Sequence, residues 1–250
     1  MSTALITGAS AGFGAAIARR LIQDGHRVVA TARRADRLAK LHDELGDNLL
    51  PFPLDVTDRA AVASLPASLP PGWQEIDLLV NNAGLALGLS PAWEADIAQW
   101  ETMVATNVSG LIAMTRALLP GMVARNRGHV INLGSTAGTY AYPGGHVYGA
   151  SKAFVTQFSL NLKADLVGTA VRITDIEPGL VGGTEFSTVR FNDPARAAAI
   201  YAGTTPLTPE DIAEAVAWVV ALPAHVNINR IEMMPTCQAP GPLAIKRQAT

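Results

Sequence analysis

The chain has 250 residues, of which 49% are hydrophobic and 16% charged, and its formal net charge is −2. This length and apolar fraction suit one large α/β domain and exclude a wholly disordered chain. A charge so close to zero, with no run of Lys or Arg, argues against binding to nucleic acid or to an anionic membrane surface. The single cysteine, Cys237, excludes an intramolecular disulfide and a site of several thiolates. No segment indicates a signal peptide or a membrane span, so we expect a soluble, cytoplasmic protein.

Short β-branched or Leu-rich runs alternate with longer helical patterns, which is typical of βαβ units and a parallel sheet. The runs predict strands at Thr3–Thr7, Arg27–Thr31, Asn48–Leu54, Ile76–Asn81, His129–Leu133, Val171–Ile176 and Asn229–Met233. The helical patterns lie at Gly14–Asp24, Ala35–Leu45, Arg59–Leu65, Ile97–Met122, Val147–Leu166 and Pro209–Leu222. We therefore expect one α/β domain over residues 1–250, with a Rossmann fold and a doubly wound, seven-stranded parallel sheet that carries helices on both faces. Residues 180–206 are expected to form a substrate loop and residues 236–250 a C-terminal tail.

The first predicted strand runs into a glycine-rich turn, Thr7-Gly8-Ala9-Ser10-Ala11-Gly12-Phe13-Gly14, that opens the first predicted helix. Small residues let the backbone turn tightly and approach a pyrophosphate, while the helix N-terminus supplies amide donors and a positive dipole. Glycine also serves ordinary turns, so it is the strand–turn–helix context that favours a dinucleotide site. The expected contacts are Gly8, Ser10, Gly12, Phe13 and Gly14.

The end of the second predicted strand indicates which dinucleotide binds. An acid there would accept a hydrogen bond from a ribose 2′-hydroxyl, but the sequence reads Thr31-Ala32-Arg33-Arg34. Guanidinium groups match a 2′-phosphate instead, so Arg33 and Arg34 favour NADP over NAD. The alternative is that both are solvated residues at the start of a helix.

Two further strand ends are expected beside the adenosine, because ligands gather at the carboxyl ends of parallel strands. Asp55 and Val56 follow the third predicted strand, and Asn82-Ala83-Gly84 follows the fourth.

A third group of residues suits proton transfer during hydride transfer at a carbinol carbon. Tyr148 and Lys152 are four residues apart on one predicted helix and so are neighbours on one face. Tyrosine at its ordinary pKa of about 10 is a poor base at neutral pH, and we expect the Lys152 ammonium and a positive nicotinamide ring to lower that pKa. Ser135, which follows a predicted strand, could hydrogen-bond the same substrate oxygen. Each of these residues alone could equally have a structural role, but the combination indicates a dehydrogenase site.

These motifs resemble the short-chain dehydrogenase/reductase family over nearly the whole chain and in the family's order. The matching segments are Thr7–Gly14, Asn81–Gly84, Ala105–Val108, Asn132–Ser135, Tyr148–Lys152 and Pro178-Gly179. The resemblance implies that Tyr148 is the general acid/base, that Ser135 positions the substrate oxygen and that Lys152 also holds the nicotinamide ribose. It further implies that Asn107 anchors a water of the proton relay. The nicotinamide would be bordered by Pro178, Gly179, Val181 and Thr184.

The segments Thr169–Ser187, Leu222–Asn229 and Glu232–Pro235 resemble an NADP-dependent subgroup of that family, the 3-hydroxy acid dehydrogenases. The resemblance implies hydride transfer between NADP and serine, 3-hydroxypropanoate or malonic semialdehyde, by an enzyme that is typically a homotetramer. A reductase of sulfoacetaldehyde or another small anionic aldehyde is the alternative, because sulfonate and carboxylate both suit a guanidinium. A non-catalytic NADP sensor is disfavoured because it would not need Ser135, Tyr148 and Lys152. No metal is expected, since the five histidines lack ligand spacing.

Arg190 is the candidate substrate-binding residue. It is the one cation in Gly182–Phe191, a segment whose glycines could hinge to close the rest over a substrate. A desolvated carboxylate needs a counter-charge, so we predict that Arg190 binds it and directs the 3-hydroxyl toward Ser135 and Tyr148. The alternative is an ion pair of Arg190 with Glu185 or Asp193 on a solvated loop. Further candidate substrate contacts are Tyr142 and His146.

Two predicted helices, Ile97–Met122 and Val147–Leu166, carry more apolar residues than one face of a sheet should need. In the second helix a stripe at every fourth residue is expected to face the core. Its members are Ala150, Phe154, Phe158, Leu162 and Leu166. The surplus is consistent with the family's pairing of these helices between subunits.

Overall fold

A computed structural model describes residues 2–241 of the chain. Its strands form one sheet in the order β3-β2-β1-β4-β5-β6-β7, and every neighbouring pair is parallel. The strands are β1 Thr3–Thr7, β2 Arg27–Ala32, β3 Leu49–Pro53, β4 Leu78–Asn81, β5 Gly128–Leu133, β6 Val171–Pro178 and β7 Arg230–Met233. The α-helices are α1 Gly12–Gln23, α2 Ala35–Leu45, α3 Arg59–Ser68, α4 Ile97–Val104, α5 Leu111–Ala124, α6 His146–Asp165, α7 Phe186–Phe191, α8 Pro194–Tyr201 and α9 Pro209–Ala221. The predicted doubly wound α/β fold is confirmed.

Helices cover both faces of the sheet, as parallel sheets require. Helices α1, α2 and α9 cover one face, where Ile6 and Ile17 belong to one apolar cluster. Helices α3, α5 and α6 cover the other, where Leu5 and Met114 belong to a second cluster. Adjacent residues of β1 thus point to opposite cores. The loops after the strands lie along one edge of the sheet, where they can form a site.

The helix starts follow local capping chemistry. The Asp58 carboxylate accepts hydrogen bonds from the amides of Ala60 and Ala61 at the start of α3. Thr208 and Asp211 form a reciprocal capping box at α9, with Pro209 in the first turn. Each arrangement satisfies amides that a helix leaves without partners, so these starts could be predicted from a few residues.

Residues 180–206 differ from the predicted loop, because they contain α7 and α8. The Asp193 carboxylate accepts hydrogen bonds from the amides of Ala195 and Arg196, and Pro194 occupies the first turn of α8. This Asp-Pro pair is a local signal for a helix start within the predicted loop. Helix α3 also runs past its predicted end at Leu65 to Ser68, with Pro66 inside it.

The buried face of α6 also differs from the prediction. Its buried residues are Tyr148, Ser151, Lys152, Val155 and Ser159. The predicted apolar stripe faces the core only at its C-terminal end, where Leu166 is buried and Leu162 packs against the core. Ala150 is exposed, and the half-buried rings of Phe154 and Phe158 stack with their centroids 5.5 Å apart. The polar face is buried because it meets buried polar groups of the sheet: the Asn132 amide, for example, donates to the Ser159 hydroxyl.

The predicted helix Ile97–Met122 is one helical run of 28 residues, Ile97–Ala124, in which a π-helical turn at Ala105–Gly110 joins α4 to α5. Within residues 2–241 it is the one helix long and apolar enough, by length and composition, to cross a membrane. The sequence pattern predicts no such segment. Length and composition are weak evidence, because core helices of soluble proteins meet the same criteria. Here Leu118 and Met122 pack into the core.

Only part of the predicted C-terminal tail lies within the described residues, which end at Gly241. In that part the Gln238 side-chain oxygen accepts a hydrogen bond of 2.7 Å from the Leu180 amide, and the Cys237 thiol lies 3.4 Å from the Thr205 carbonyl oxygen. The tail therefore contacts the segment that follows β6. Residues 242–250 lie outside the described residues.

Candidate active site

A cleft of about 320 Å³ opens at the carboxyl ends of β1 to β5. It surrounds the point where the strand order reverses between β1 and β4, where open α/β sheets bind ligands. Its volume falls within the range of ligand pockets, roughly 300–1,000 Å³. The predicted cofactor contacts that line it are Gly8, Ser10, Gly12, Phe13, Arg33, Arg34, Asp55, Val56, Asn82, Ala83, Gly84, Tyr148, Lys152 and Thr184.

The glycine-rich turn leaves room for a ligand at the start of α1. Gly8 and Gly12 have φ angles of +67° and +52°, which side chains rarely adopt. A Cβ on Gly14 would lie 2.5 Å from the Gly8 carbonyl oxygen, so this position requires glycine for packing. Among the described residues, no side chain caps α1 at Ala11, so the first amides of the helix are available to an anion. This cradle fits a pyrophosphate.

Asn82 stabilises this turn through hydrogen bonds. Its side-chain amide donates to the carbonyl oxygens of Thr7 and Gly8, at 2.8 and 3.2 Å. The Thr7 hydroxyl in turn accepts from the amides of Asn82 and Ala83, at 3.0 and 2.9 Å. Asn82 was predicted as a direct cofactor contact. The structure adds that its side-chain donors hold the β1 and β4 ends together.

The two predicted arginines stand at the far edge of the cleft and differ in their contacts. Arg33 is exposed there. Arg34 donates to the Ser10 hydroxyl at 2.9 Å and to the Glu185 carboxylate at 2.8 Å. Arg37 donates to the other oxygen of Glu185 at 2.7 Å. Glu185 therefore connects the segment before α7 to the edge where a 2′-phosphate is expected.

Asp55 lies beside this edge, after β3. Partial burial acts to raise its pKa, but hydrogen bonds from Thr57 and the positive charge of Arg33 outweigh burial and hold the pKa below its ordinary value. Asp55 is thus a carboxylate at neutral pH and can accept hydrogen bonds from a ligand.

Tyr148 and Lys152 lie together at the inner end of the cleft, both 8% exposed. The Lys152 ammonium is 5.8 Å from the centroid of the Tyr148 ring and donates to the Leu133 carbonyl oxygen at 2.6 Å. Burial raises the pKa of Tyr148 to about 12, although a hydrogen bond from Ser135 and the charge of Arg190 act to lower it. Burial also lowers the pKa of Lys152 to about 8. In the protein alone the pKa of Tyr148 is thus raised, because desolvation exceeds the effect of the neighbouring charges. The lowering expected from Lys152 together with a positive nicotinamide ring stays a prediction.

Ser135 and Asn107 flank this pair. The Ser135 hydroxyl accepts a hydrogen bond from the Ala137 amide at 3.1 Å and lies 3.4 Å from the Pro178 carbonyl oxygen. The Asn107 side chain, in the π-helical turn, accepts from the Leu85 amide at 2.9 Å and donates to the Leu85 carbonyl at 2.8 Å. Its amide is thus engaged by protein, and the water that the family resemblance assigns to Asn107 stays a prediction.

Helix α7 brings Arg190 above the site. The Arg190 guanidinium carbon lies 5.6 Å from the Tyr148 ring centroid and 5.3 Å from that of Tyr142, whose hydroxyl accepts a hydrogen bond from Arg190 at 2.9 Å. Phe186, four residues earlier on the same helix face, lies 5.6 Å from Tyr148 between ring centroids. Within residues 2–241 the alternative partners of Arg190 are engaged elsewhere: Glu185 by Arg34 and Arg37, and the Asp193 carboxylate by the amides that start α8.

The remaining predicted residues lie around the site without lining the main cleft. His146 contacts the Ser90 carbonyl at 3.1 Å and packs edge-on against Trp100, so it anchors a neighbouring loop. Tyr142 and His146 both line a second cavity beside the first. Gly14, Pro178, Gly179 and Val181 do not line the cleft. Val181 is buried in the core, and the Gly179 amide donates to the Met233 carbonyl at 2.7 Å. Glu185 and Phe186 were not predicted as cleft residues, and no local pattern marks them.

Comparison with known proteins accords with this geometry. The family described as short chain dehydrogenase matches residues 2–195. The NADP-dependent 3-hydroxy acid dehydrogenase of Salmonella typhi is 64% identical over 244 residues, 97% of this chain and 98% of the relative. Sulfoacetaldehyde reductase 2 of Chromohalobacter salexigens is 49% identical over 97% of this chain and 98% of its own. The solved closed form of serine dehydrogenase complexed with NADP+ is 63% identical with a TM-score of 0.95, and the match covers 98% of this chain and 100% of that one. The family and the fold predicted from the sequence are confirmed.

Proposed function

We propose that this chain, which belongs to the short chain dehydrogenase family, is an NADP-dependent oxidoreductase that transfers a hydride between the nicotinamide and a small 3-hydroxy acid or its semialdehyde. The position of Arg190 is the observation that supports this class of substrate. Its guanidinium lies 5.6 Å from the Tyr148 ring centroid, beside the group that handles the proton. A carboxylate bound there would place the 3-hydroxyl, three bonds from the carboxyl carbon, within reach of Tyr148.

The chain's own residues suit the cofactor. The amides at the start of α1 would hold the pyrophosphate, Arg33 the 2′-phosphate, and Lys152 the nicotinamide ribose. When bound, NADPH supplies a hydride to the carbonyl carbon and NADP+ accepts one from the carbinol carbon. The relative named as an NADP-dependent 3-hydroxy acid dehydrogenase and the serine dehydrogenase structure with NADP+ support this choice of cofactor.

The proton transfer follows from the ionisation of the site. With its pKa raised to about 12, Tyr148 is a phenol at neutral pH, which is the form that can donate a proton to a carbonyl oxygen. Ser135 holds that oxygen by a second hydrogen bond, and Arg190 fixes the far end of the substrate. Phe186 covers Tyr148 and excludes water from the reacting atoms. Asn107 would carry the relay onward through a water.

A second candidate function is reduction of sulfoacetaldehyde, which is supported by the 49% identity to sulfoacetaldehyde reductase 2. A sulfonate would bind the same guanidinium, so Arg190 alone does not separate the two substrates.

An NADPH-oxidation screen over small aldehydes that carry a carboxylate, a sulfonate or no charge tests the proposal. We expect malonic semialdehyde to have the highest kcat/KM and the uncharged aldehyde the lowest. A preference for the sulfonate would select the alternative, and equal efficiency with the uncharged aldehyde would reject an anion-binding site. NADPH binding without turnover of any aldehyde would indicate a cofactor sensor.

We infer that the enzyme is a cytoplasmic homotetramer. The outward faces of α4 to α6 expose large apolar side chains, among them Ile97 at 62%, Val104 at 44% and Leu160 at 42%. Burial of such a patch against other copies would remove apolar area from water. Light scattering after size-exclusion chromatography measures the assembly, and a monomeric mass would contradict it.

A further inference from the structure

Arg190 reaches the site from α7 and is held there by two other segments of the chain. Its backbone carbonyl accepts a hydrogen bond of 3.0 Å from the Gly88 amide, and its side-chain Nε donates to the Gly88 carbonyl at 3.3 Å. Its Nη2 donates to the Tyr142 hydroxyl at 2.9 Å. Gly88 lies in the segment after β4, and Tyr142 lies between β5 and α6. Arg190 is therefore bonded through both its backbone and its guanidinium.

The two segments that hold Arg190 are packed against each other. Gly88 has a φ of +66°, which side chains rarely adopt. A Cβ on Gly144 would lie 2.5 Å from the Leu89 carbonyl oxygen, so the two segments are in direct contact. A Cβ on Gly145 would lie 2.6 Å from the Tyr142 ring, so this ring lies against the backbone at the start of α6. The acceptors for Arg190 are thus fixed independently of α7.

The hydrogen bonds of Arg190 use one edge of its guanidinium. An arginine has five N–H donors in a rigid fork, and either of two edges can present a parallel pair of them to a carboxylate. In Arg190 the edge formed by Nε and Nη2 is occupied by the Gly88 carbonyl and the Tyr142 hydroxyl. Within residues 2–241 no hydrogen bond is made by Nη1. The edge formed by Nη1 and the second N–H of Nη2 can therefore bind an anion without breaking either bond.

This arrangement removes a cost that a mobile arginine would meet on binding. A free arginine side chain loses much rotamer entropy when it is ordered against a ligand. The half-buried Arg190 is already ordered, with its guanidinium carbon 5.3 Å from the Tyr142 ring centroid and 5.6 Å from that of Tyr148. Preorganisation of this kind strengthens binding without any new contact to the ligand.

We propose that Gly88 and Tyr142 are positioning residues: they hold Arg190 by one edge of its guanidinium and direct the other edge to the carboxylate of a 3-hydroxy acid. This inference rests on the proposed function. Tyr142, a candidate substrate contact in the sequence, acts in this arrangement through Arg190. Because the substrate takes the other edge, Tyr142 assists binding of the acid and does not compete with it.

Tyr142→Phe keeps the aromatic ring and removes the acceptor. We expect KM for 3-hydroxypropanoate, measured with NADP+, to rise about 3- to 10-fold, the effect of ordering one long side chain on binding. The kcat for this acid should stay nearly unchanged, as should kcat and KM for its uncharged analogue, 3-hydroxypropanamide. An unchanged or lower KM for the acid overturns the proposal, as does a loss of kcat with both substrates, which a purely structural Tyr142 would give.

Tyr140→Phe is the matched control. Tyr140 lies two residues before Tyr142, and its hydroxyl is 3.1 Å from the Glu232 carboxylate instead of Arg190. Loss of this hydroxyl should leave KM for both substrates unchanged. An equal rise in KM for the acid in both tyrosine variants would overturn the assignment to Tyr142.

Arg190→Lys separates the orientation of the charge from the charge itself. Lysine keeps the positive charge but lacks the planar fork that can bond to Gly88, Tyr142 and a carboxylate at once. We expect KM for 3-hydroxypropanoate to rise nearly as much as in Arg190→Leu. A KM close to that of the unmodified enzyme would show that charge alone suffices and would overturn the proposal.

Binding of propanoate tests the arrangement without turnover, because this acid lacks the hydroxyl that reacts. Its Kd for the complex with NADP+ is measured by ligand-observed NMR, and it should rise in Tyr142→Phe by the same factor as KM. An unchanged Kd, or no binding to the unmodified enzyme, overturns the inference. If propanoate binding depends on Tyr142 but no hydroxy acid or aldehyde is turned over, the proposed function fails and the anion site stands.

Discussion

Replacement of Arg190 by leucine isolates the group that we assign to the substrate's negative charge. Leucine retains part of the apolar stem that packs near Tyr148, but it removes the guanidinium and its 2.9 Å hydrogen bond to Tyr142. A hydrogen bond to a charged group contributes about 1.5–3 kcal/mol. Because about 1.4 kcal/mol corresponds to a tenfold change, KM for a carboxylate substrate should rise roughly 10- to 150-fold.

The assay compares two substrates in one variant. Steady-state kcat and KM are measured for 3-hydroxypropanoate and for an uncharged alcohol of similar size, and Kd for NADPH is measured by fluorescence titration. A contact made equally in the ground state and the transition state raises KM and leaves kcat nearly unchanged. We therefore expect the rise in KM for the acid alone, with the uncharged alcohol and NADPH scarcely affected.

Arg196→Leu provides the matched control. Arg196 belongs to the neighbouring helix α8, and its guanidinium carbon lies 4.7 Å from the centroid of the Phe191 ring, so the same residue type stacks on an aromatic ring away from Tyr148. This variant should keep the KM of the unmodified enzyme. If Arg190→Leu impaired the acid and the alcohol equally, the anion site would lie elsewhere and Arg190 would serve to support Tyr142 and Tyr148.

Three further substitutions test the rest of the site. Tyr148→Phe should keep the fold and NADPH binding but lose at least ~10²-fold in kcat, the scale of general acid–base catalysis; retained turnover would require another proton donor. The unmodified enzyme should prefer NADP over NAD by at least ~10-fold in kcat/KM. Arg33→Ala should reduce that preference, because it weakens the binding of NADP alone. Equal use of both cofactors by the unmodified enzyme would contradict the assignment of Arg33 to the 2′-phosphate. Glu185→Gln removes the carboxylate that pairs with the half-exposed Arg34 and Arg37. It should therefore tighten NADP binding by roughly 1.5- to 5-fold, the contribution of one exposed ion pair, and leave Kd for NAD unchanged. Weaker NADP binding would instead indicate that Glu185 holds the site closed.

Local sequence patterns predicted the framework of this protein well. The β-branched runs became strands of a parallel sheet, and the glycine-rich turn after β1 adopts left-handed φ angles at Gly8 and Gly12. Tyr148 and Lys152 share the buried face of α6, as their spacing of four residues required. These features depend on backbone sterics and on helix and strand periodicity, which act over a few residues and so can be recognised in the sequence.

What only the tertiary structure decided depends on burial and on partners distant in the chain. Glu185 pairs with Arg34 across 151 residues, and no local pattern couples those positions. Desolvation raises the Tyr148 pKa in the protein alone, and the sequence does not reveal this because the cost of burying a charge is set by the surrounding packing. The buried face of α6 is largely polar for the same kind of reason. Asn132 and Glu177 of the sheet form hydrogen bonds with Ser159 and Thr156 of the helix, and this hydrogen bonding between the layers decides which side of the helix turns inward.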